Sequence, residues 1–330
     1  MTEDELIATL FAPLAGPGGL GLKDDAAVLS PGPDEDVVTT VDALVAGVHF
    51  FPDDPPEAIA AKVLGVNLSD LAAKAAAPAG FLLALALPAG STEAWLEVFA
   101  RGLGVAAARH GCPLLGGDTV RTPGPLTLSV TVFGTVPRGR MLPRTGLRPG
   151  DVLYVSGTIG DAALGLALRT ETMPGLSAAL NAGLSVEAQA VLSDRYLYPR
   201  PRLALRPALR AHASAGMDVS DGLVGDLRKM LAASGAGGVI RLGAVPLSDA
   251  ARNAVACDPR AWAEALTGGD DYELLVGVPP DATAAFEADA AQAGVAVTAI
   301  GTVGDLVDGI ALLDAAGQPA RFVRGSFQHF

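Results

Sequence analysis

The sequence has few of the residues that characterise secreted, zinc-binding or membrane proteins. Its 330 residues include two cysteines, Cys112 and Cys257, too few for a disulfide framework and in keeping with a reducing compartment. Four histidines argue against a histidine-based zinc site or a serine–histidine–aspartate triad. The longest apolar run, residues 80–87, is far shorter than the ~20 residues that cross a bilayer.

Basic residues are also scarce. Lysine and arginine number 23 against 36 aspartates and glutamates, which gives a formal net charge of −13. Such acidity argues against nucleic acid or an anionic membrane as a partner. The first residues, MTEDELIATLF, are acidic where a secretory signal would be basic. We therefore expect a globular cytoplasmic protein.

Apolar residues are plentiful, at 50% of the chain, and a length of 330 suggests two domains. Strand-like runs and helical stretches mix in both halves, which predicts an α/β or α+β class. In the first half the strand-like runs are 26–29, 36–45, 81–88 and 126–136, and the helical stretches are 57–77 and 92–109. A stretch rich in proline, glycine and arginine at 137–151 is typical of a domain boundary. The predicted domains are residues 1–148 and 149–330.

Aspartates recur where apolar segments turn into loops or helices. They are Asp25, Asp42, Asp70, Asp118, Asp218, Asp221, Asp270 and Asp271. A carboxylate at the edge of a core is costly unless it is paired or bound to a metal, and the chain has only four lysines. Convergent carboxylates without histidine or cysteine suit Mg²⁺ that is shared with phosphates.

These aspartates also have ordinary interpretations. Asp70 and Asp221 each follow a serine and precede a helical stretch, so each could be a helix N-cap. Asp271 could pair with an arginine. The pattern as a whole favours a metal–phosphate site over these separate explanations.

Nine segments carry a resemblance to a known family. They are GLKDDAAVL, TTVDALVAGVHF, KVLGVNLSDLAAKAAAP, LLGGDTVR, RTGLRPGD, VSGTIGDAALGL, MDVSDGLVGDL, LTGGDDYELL and the final GSFQHF. In this order they resemble the thiamine-monophosphate kinases, which belong to the superfamily of aminoimidazole ribonucleotide synthetase and selenophosphate synthetase. The resemblance covers nearly the whole chain.

The resemblance implies two mixed-sheet α/β domains of the aminoimidazole ribonucleotide synthetase type, with the N-terminal sheet pairing across a homodimer. It also implies ATP-dependent, in-line phosphorylation of thiamine monophosphate to thiamine diphosphate, with several Mg²⁺ ions. The metal-binding positions it implies are Asp25, Thr40, Val41, Asp42, Asp70, Asp118, Asp218 and Asp221. The catalytic aspartates among them are Asp42, Asp70, Asp118 and Asp221. The ATP-binding positions are Gly117, Asp118, Arg144 and Ser220, and the thiamine-phosphate positions are His49, Asp270 and Phe327.

Three residues depart from the family pattern. Lys23 replaces a glycine before the paired aspartates, Val41 replaces a threonine, and Asp270 replaces a glutamate. Val41 therefore leaves only a main-chain oxygen for a metal, and Asp270 is one methylene shorter than the usual side chain.

Other interpretations stay open. His49 could be a structural histidine, and Arg144 could be a solvated arginine. Phe327 could be a tail residue docked for packing. The alternative functions are another ATP-dependent synthetase or cyclo-ligase of the superfamily, and a non-catalytic nucleotide-binding protein. The GVHF segment and the final HF favour the kinase over the synthetases, and the retained aspartates favour an enzyme.

Overall fold

The computed structural model describes residues 2–322, 325 and 326 and divides the chain into two compact units. The first unit contains Met1–Leu71 and Ala76–Met141, and the second contains Ala72–Ala75 and Leu142–Phe330. The predicted boundary between residues 148 and 149 stays a prediction. No helix in the described part of the chain has the length and apolar character needed to cross a membrane.

In its described residues the first unit is a four-stranded mixed sheet with three α-helices. The strands are β1 (Glu35–Val45), β2 (Ala77–Pro88), β3 (Leu114–Thr122) and β4 (Thr127–Pro137), and the helices are α1 (Glu3–Leu6), α2 (Pro56–Ala73) and α3 (Glu93–His110). The strand order is β1-β4-β2-β3. β4 is antiparallel to both of its neighbours, whereas β2 and β3 are parallel. The helix-forming segments are rich in alanine and leucine, which favour helices.

The two faces of this sheet differ. In β4 the alternate residues Leu128, Val130 and Val132 are fully buried, whereas Ser129 and Thr131 between them are only half-buried. Successive side chains of a strand point to opposite faces, so one face belongs to the core and the other is partly open. Helix α2 lies against the core face, where its Leu71 side chain approaches Gly134 of β4.

Helix α3 shows how local sequence sets its ends. The Thr92 hydroxyl accepts a hydrogen bond from the Trp95 N–H at 3.2 Å, which caps the first turn. At the other end Gly111 adopts φ +60°, the left-handed conformation that stops a helix.

The second unit is a six-stranded mixed sheet with helices on both faces. The strands are β5 (Val152–Ser156), β6 (Ala215–Val219), β7 (Ala236–Arg241), β8 (Glu273–Val278), β9 (Val297–Asp305) and β10 (Ile310–Leu313). The helices are α4 (Asp161–Arg169), α5 (Leu176–Gly183), α6 (Val186–Leu197), α7 (Arg206–His212), α8 (Leu223–Ala233), α9 (Asp249–Cys257), α10 (Arg260–Thr267) and α11 (Thr283–Gln292). The strand order is β10-β7-β9-β5-β8-β6, in which only the β10–β7 pair is parallel. Side chains of β5, β6 and β8 pack with α8 on one face, and those of β5 and β8 pack with α7 and α11 on the other.

The predicted class, two mixed-sheet α/β domains, is confirmed. Two local expectations are wrong. Residues 26–29 form no strand, because the Val28 N–H donates to the carbonyl of Gly18 at 2.8 Å instead of to a neighbouring strand. Asp70 does not cap a helix N-terminus, because it lies close to the C-terminal end of α2.

Candidate functional site

Three predicted metal positions meet where β1 faces α2. The Thr40 hydroxyl donates to Asp70 Oδ2 at 2.6 Å. Asp42, two residues further along β1 and on the same face, donates its main-chain N–H to Asn67 Oδ1 at 3.0 Å. Asn67 and Asp70 are one helical turn apart, so both face the strand. The structure therefore brings Thr40, Asp42 and Asp70 together.

Asn67 is a residue of this cluster that sequence reasoning missed. Its side chain is fully buried, and its amide nitrogen donates to the Val63 carbonyl at 3.0 Å. That bond orients the amide so that its oxygen accepts from Asp42. The spacing of Asn67 to Asp70 in NLSD was the available clue, since three residues is one turn of a helix.

Val41 and His49 occupy different surroundings. The Val41 side chain lies on the opposite face of β1 and is 59% exposed, so it takes no part in the Thr40–Asp70 cluster. His49 follows β1 in a turn, where its Nδ1 accepts a hydrogen bond from the Val45 N–H at 3.0 Å. Because Nδ1 is an acceptor, the neutral ring carries its proton on Nε2.

A cavity of about 810 Å³ lies in the first unit and is bordered by three carboxylates, those of Asp24, Asp25 and Asp118. Gly117 and apolar residues such as Leu115 complete this part of its wall. The volume is within the range of small-molecule sites. The structure therefore brings together Asp25, Gly117 and Asp118, three of the predicted metal and ATP positions, at one cavity.

Gly117 also has a structural role. A Cβ at this position would lie 2.0 Å from the Leu83 carbonyl oxygen of the neighbouring strand β2. Only glycine allows the two backbones to approach this closely. Asp118 follows it within β3, so the strand continues past the aspartate where the sequence suggested that it ended.

In the second unit, the end of β6 carries Asp218, Ser220 and Asp221. Asp218 is buried within the strand, while Ser220 and Asp221 follow it. Their two N–H groups donate to Asp226 Oδ2 at 3.0 and 2.9 Å. Asp226, in the first turn of α8, therefore holds the two residues that lead into the helix, whose N-cap is Gly222. The interpretation of Asp221 as the N-cap is wrong.

Lys229 is a second residue that sequence reasoning missed here. Its ammonium forms ion pairs with Asp221 and, at 3.0 Å, with Asp226 Oδ1. Although partial burial lowers the pKa of Lys229, its hydrogen bonds to both carboxylates raise it overall. Burial raises the pKa of Asp226, against the opposing pull of Lys229. The spacing of Asp226 and Lys229, i to i+3 on a helix, was the sequence clue.

Asp270 lies beside Ser220. Its N–H donates to the Ser220 carbonyl at 2.8 Å, which joins a predicted substrate position to a predicted ATP position. The Tyr272 hydroxyl lies 3.3 Å from Asp270 Oδ1 and donates to it. Arg144 is exposed, and its carbonyl accepts from the Ser234 hydroxyl at 3.3 Å. Phe327 lies outside the described residues.

A fully buried carboxylate, Glu273, is the centre of an ionic network behind this loop. It accepts from Arg195 Nη2 at 2.8 Å, Arg202 Nε at 2.6 Å and the Ser156 hydroxyl at 2.6 Å. Among the described residues, Asp271 makes no side-chain pair with an arginine, the pairing that the sequence allowed. Its Oδ1 accepts from the Gly160 N–H at 2.8 Å, and burial raises its pKa well above the ordinary value.

The donor atoms at the predicted metal positions are all oxygens, which fits a hard cation such as Mg²⁺. Within residues 2–322 and 325–326, no three histidine, cysteine, aspartate or glutamate side chains are arranged to enclose a metal ion. Mg²⁺ commonly takes one or two carboxylates and completes its shell with water and substrate phosphates. The residues therefore fit Mg²⁺, and their metal roles stay predictions.

Comparison with known proteins gives consistent matches along the chain. Family models of the AIR synthase related protein match residues 23–136 with its N-terminal domain and 148–311 with its C-terminal domain. The thiamine-monophosphate kinase of Caulobacter vibrioides is 45% identical over 305 residues, covering 91% of this chain and 83% of that protein. The crystal structure of thiamine-monophosphate kinase from Stenotrophomonas maltophilia K279a superposes with a TM-score of 0.81 at 39% identity over 96% of both chains. AaThiL complexed with AMPPCP and TMP gives a TM-score of 0.77 at 27% identity, covering 99% of this chain and 94% of that chain.

Proposed function

This chain belongs to the thiamine-monophosphate kinase family of AIR synthase related proteins, and on that premise we propose that it phosphorylates thiamine monophosphate with ATP. The products are thiamine diphosphate and ADP. The observation that carries the proposal is the 45% identity to a thiamine-monophosphate kinase over 91% of the chain. The AaThiL complex with AMPPCP and TMP supports a nucleotide and a phosphate-bearing acceptor as the two ligands.

The reaction needs positioning more than proton transfer. An oxygen of the acceptor phosphate attacks the γ-phosphorus of ATP, the bond to the β,γ-bridging oxygen breaks, and ADP leaves with the electron pair. The second pKa of a phosphomonoester is about 6, so the nucleophile is mainly dianionic at neutral pH and needs no general base. His49, whose Nδ1 already accepts a hydrogen bond, is suited to donate from Nε2 to this phosphate.

The predicted metal positions suit Mg²⁺, which when bound supplies positive charge against the repulsion between the two phosphate groups. The side chains that would hold the several ions are Asp25, Thr40, Asp42, Asp70, Asp118, Asp218 and Asp221, with the main-chain oxygen of Val41. The chain's own contribution is to orient these oxygens. The Thr40 hydroxyl holds one oxygen of Asp70, and Asn67 fixes the backbone at Asp42.

The nucleotide and acceptor positions extend this assignment. Gly117, Asp118, Arg144 and Ser220 would contact ATP, and the Arg144 guanidinium would stabilise charge on the triphosphate. His49, Asp270 and Phe327 would contact thiamine monophosphate, and the Phe327 ring would stack on the cationic thiazolium. The hydrogen bond from Asp270 to the Ser220 carbonyl supports neighbouring positions for the two substrates.

The proposal includes a homodimer that pairs the open faces of the first-unit sheets. Val37, Val41 and Val120 on β1 and β3 are 43%, 59% and 49% exposed, beside half-buried Ser129 and Thr131 of β4. Exposed apolar side chains grouped on one sheet face are typical of an interface, and a second copy related by a two-fold axis is the simplest occupant. Sedimentation at micromolar concentration should show a dimer, and a 33.2 kDa species would contradict it.

Two further parts of the proposal concern organisation. We assign residues 1–148 to a domain for ATP, Mg²⁺ and dimerisation, and residues 149–330 to a C-terminal domain. A cytoplasmic location rests on the two-cysteine composition.

The purified chain with ATP, Mg²⁺ and thiamine monophosphate tests the function directly. Thiamine diphosphate and ADP should form in equal amounts, followed by chromatography. Unphosphorylated thiamine serves as the control acceptor and should give no diphosphate. A folded preparation that uses an aminoimidazole precursor but not thiamine monophosphate would instead support the synthetase alternative.

A further inference from the structure

The loop that carries Asp270, residues 268–272, has a strained backbone. Asp270 and Tyr272 have φ angles of +64° and +49°, in the left-handed region. Residues other than glycine adopt that region only at a cost, and such strain persists where surrounding contacts enforce it. The contacts of this loop therefore determine where the Asp270 carboxylate lies.

Main-chain hydrogen bonds hold both strained residues to the end of β6. The Asp270 N–H donates to the Ser220 carbonyl at 2.8 Å, and the Tyr272 N–H donates to the Val219 carbonyl at 2.9 Å. These bonds fix the loop from one side. The residue between them, Asp271, is held separately.

The Asp271 side chain points into the second unit, where it is 1% exposed. Its Oδ1 accepts from the Gly160 N–H at 2.8 Å, in the turn that begins α4. Its main-chain carbonyl accepts from Arg195 Nη2 at 3.4 Å. Among the described residues Oδ2 has no hydrogen-bond partner, so the Gly160 bond is the attachment of this carboxyl group.

The arginine that contacts Asp271 is itself immobilised. Arg195 is 5% exposed and donates to the fully buried Glu273 at 2.8 Å. Glu273 also accepts from Arg202 and from the Ser156 hydroxyl. Asp271 is thus anchored to a rigid part of the fold through its side chain and through its main chain.

We propose, resting on the function above, that Asp271 is a positioning residue: its bond to Gly160 holds the loop so that Asp270 meets thiamine monophosphate. Asp271 is too deeply buried to touch the substrate, whereas Asp270 is only half-buried. Loss of the bond frees the loop to relax its strained φ angles and to move the Asp270 carboxylate.

The test compares three variants with the full-length protein. Asp271→Ala removes the acceptor for the Gly160 N–H, whereas Asp271→Asn keeps an oxygen there. If Asp271→Ala is insoluble, Asp271→Ser replaces it, because a serine side chain is too short to reach the Gly160 N–H. The matched control is Asp151→Ala, because Asp151 is also buried in the second unit and accepts a main-chain N–H, from Arg148 at 3.0 Å.

Two measurements separate positioning from stability alone. In Asp271→Ala the KM for thiamine monophosphate should rise about tenfold or more, with the KM for ATP unchanged, and Asp271→Asn should restore it. Hydrogen–deuterium exchange of the peptide spanning residues 268–272 should also accelerate. Asp151→Ala should lower the melting temperature without either change.

The outcomes are distinct for the two proposals. If Asp271→Ala behaves like Asp151→Ala in both measurements, Asp271 is merely structural and the inference is overturned. If the unmodified protein does not turn over thiamine monophosphate, the proposed function fails. In that case unchanged hydrogen–deuterium exchange at residues 268–272 in Asp271→Ala overturns the positioning role as well. Accelerated exchange supports the Asp271–Gly160 hydrogen bond as the contact that holds the loop.

Discussion

The two units compensate their negative charge in different ways. In the second unit the carboxylates of Glu273, Asp221 and Asp226 are paired with arginine or lysine side chains of the same unit. In the first unit Asp70 is held by a neutral hydroxyl, and Asp25 and Asp118 border a cavity.

This difference separates carboxylates that shape the fold from carboxylates that suit an external cation. A buried ion pair already satisfied by the chain has little left to offer a ligand. A carboxylate that borders a cavity or bonds to a hydroxyl keeps lone pairs for a cation. Removing the charge of the buried Glu273 should therefore damage folding, and removing the charge of Asp70 should damage turnover.

The largest effect is expected at Glu273. Glu273→Ala leaves Arg195 and Arg202 without their shared buried partner, which costs about 3–5 kcal/mol of folding free energy. Chemical denaturation should show this loss. Asp194→Ala is the control, since Asp194 pairs with Arg200 at the surface, where both side chains are about half exposed. Equal small losses in both variants would contradict the role given to Glu273.

At Asp70 we expect a large effect on turnover and a small effect on folding. Asp70→Asn keeps an oxygen for the Thr40 hydroxyl but removes the charge that a cation needs. Turnover should fall at least about a hundredfold, equivalent to some 2.7 kcal/mol of transition-state stabilisation. Folding should hardly change, because no buried cation loses its partner. Steady-state kinetics and urea denaturation measure the two effects.

The control for Asp70 is Asp36→Asn on the same unit, an exposed aspartate that accepts from the Gly139 N–H at 2.7 Å. It should leave turnover unchanged. Near-normal turnover of Asp70→Asn at limiting Mg²⁺ would remove Asp70 from the metal site and weaken the contrast between the units.

Substitution of Asp271 should have a smaller effect on folding stability, and that effect depends on pH. Burial raises its pKa in the folded state, so the native protein keeps a proton that the unfolded chain releases above pH ~3.9. Wild-type stability is therefore lost as pH rises from there towards the raised pKa. Asp271→Asn cannot titrate, and its stability relative to the wild type should improve by about 1.4 kcal/mol per pH unit across that window.

Denaturation curves at several pH values from 4 to 7 measure this difference. If the difference in unfolding free energy between the wild type and Asp271→Asn stays constant over this range, the pKa of Asp271 is not raised. This pH dependence of stability is opposite to that from a carboxylate stabilised by an ion pair, which makes the protein more stable as pH rises.

The sequence predicts elements whose pattern is local and fails where partners are distant. β1 and β4 follow from short-range periodicity, and the helical stretches at 57–77 and 92–109 correspond to α2 and α3. The four-residue run at 26–29 is too short to specify a strand. The Ser-Asp pattern at Asp70 resembles a helix N-cap, but α2 begins well before it, at Pro56.

The site shows the same limit. Thr40, Asp42 and Asp70 lie together and their metal roles stay predictions, but the buried network could not be predicted. Glu273 is separated from Arg195 by 78 residues and from Arg202 by 71, so no local spacing connects them. Burial, which only the folded chain reveals, makes that pairing necessary.

The smallest expected effect sharpens the comparison within the second unit. The Lys229 ammonium forms an ion pair with Asp221, and both side chains are partly exposed, at 43% and 37%. The Lys229–Asp221 pair should therefore contribute less than about 1 kcal/mol of stability. Lys229→Met also removes the cation beside the buried Asp226, which keeps the Ser220 and Asp221 N–H groups as donors. If Asp221 binds a divalent cation, its freed carboxylate should bind Mn²⁺ up to about fivefold more tightly, the equivalent of that same energy. Paramagnetic titration with Mn²⁺ measures this, with Arg228→Met as a control that removes one positive charge from the neighbouring position. Equal Mn²⁺ affinity in the two variants would show that Asp221 binds no divalent cation even after its internal partner has been removed.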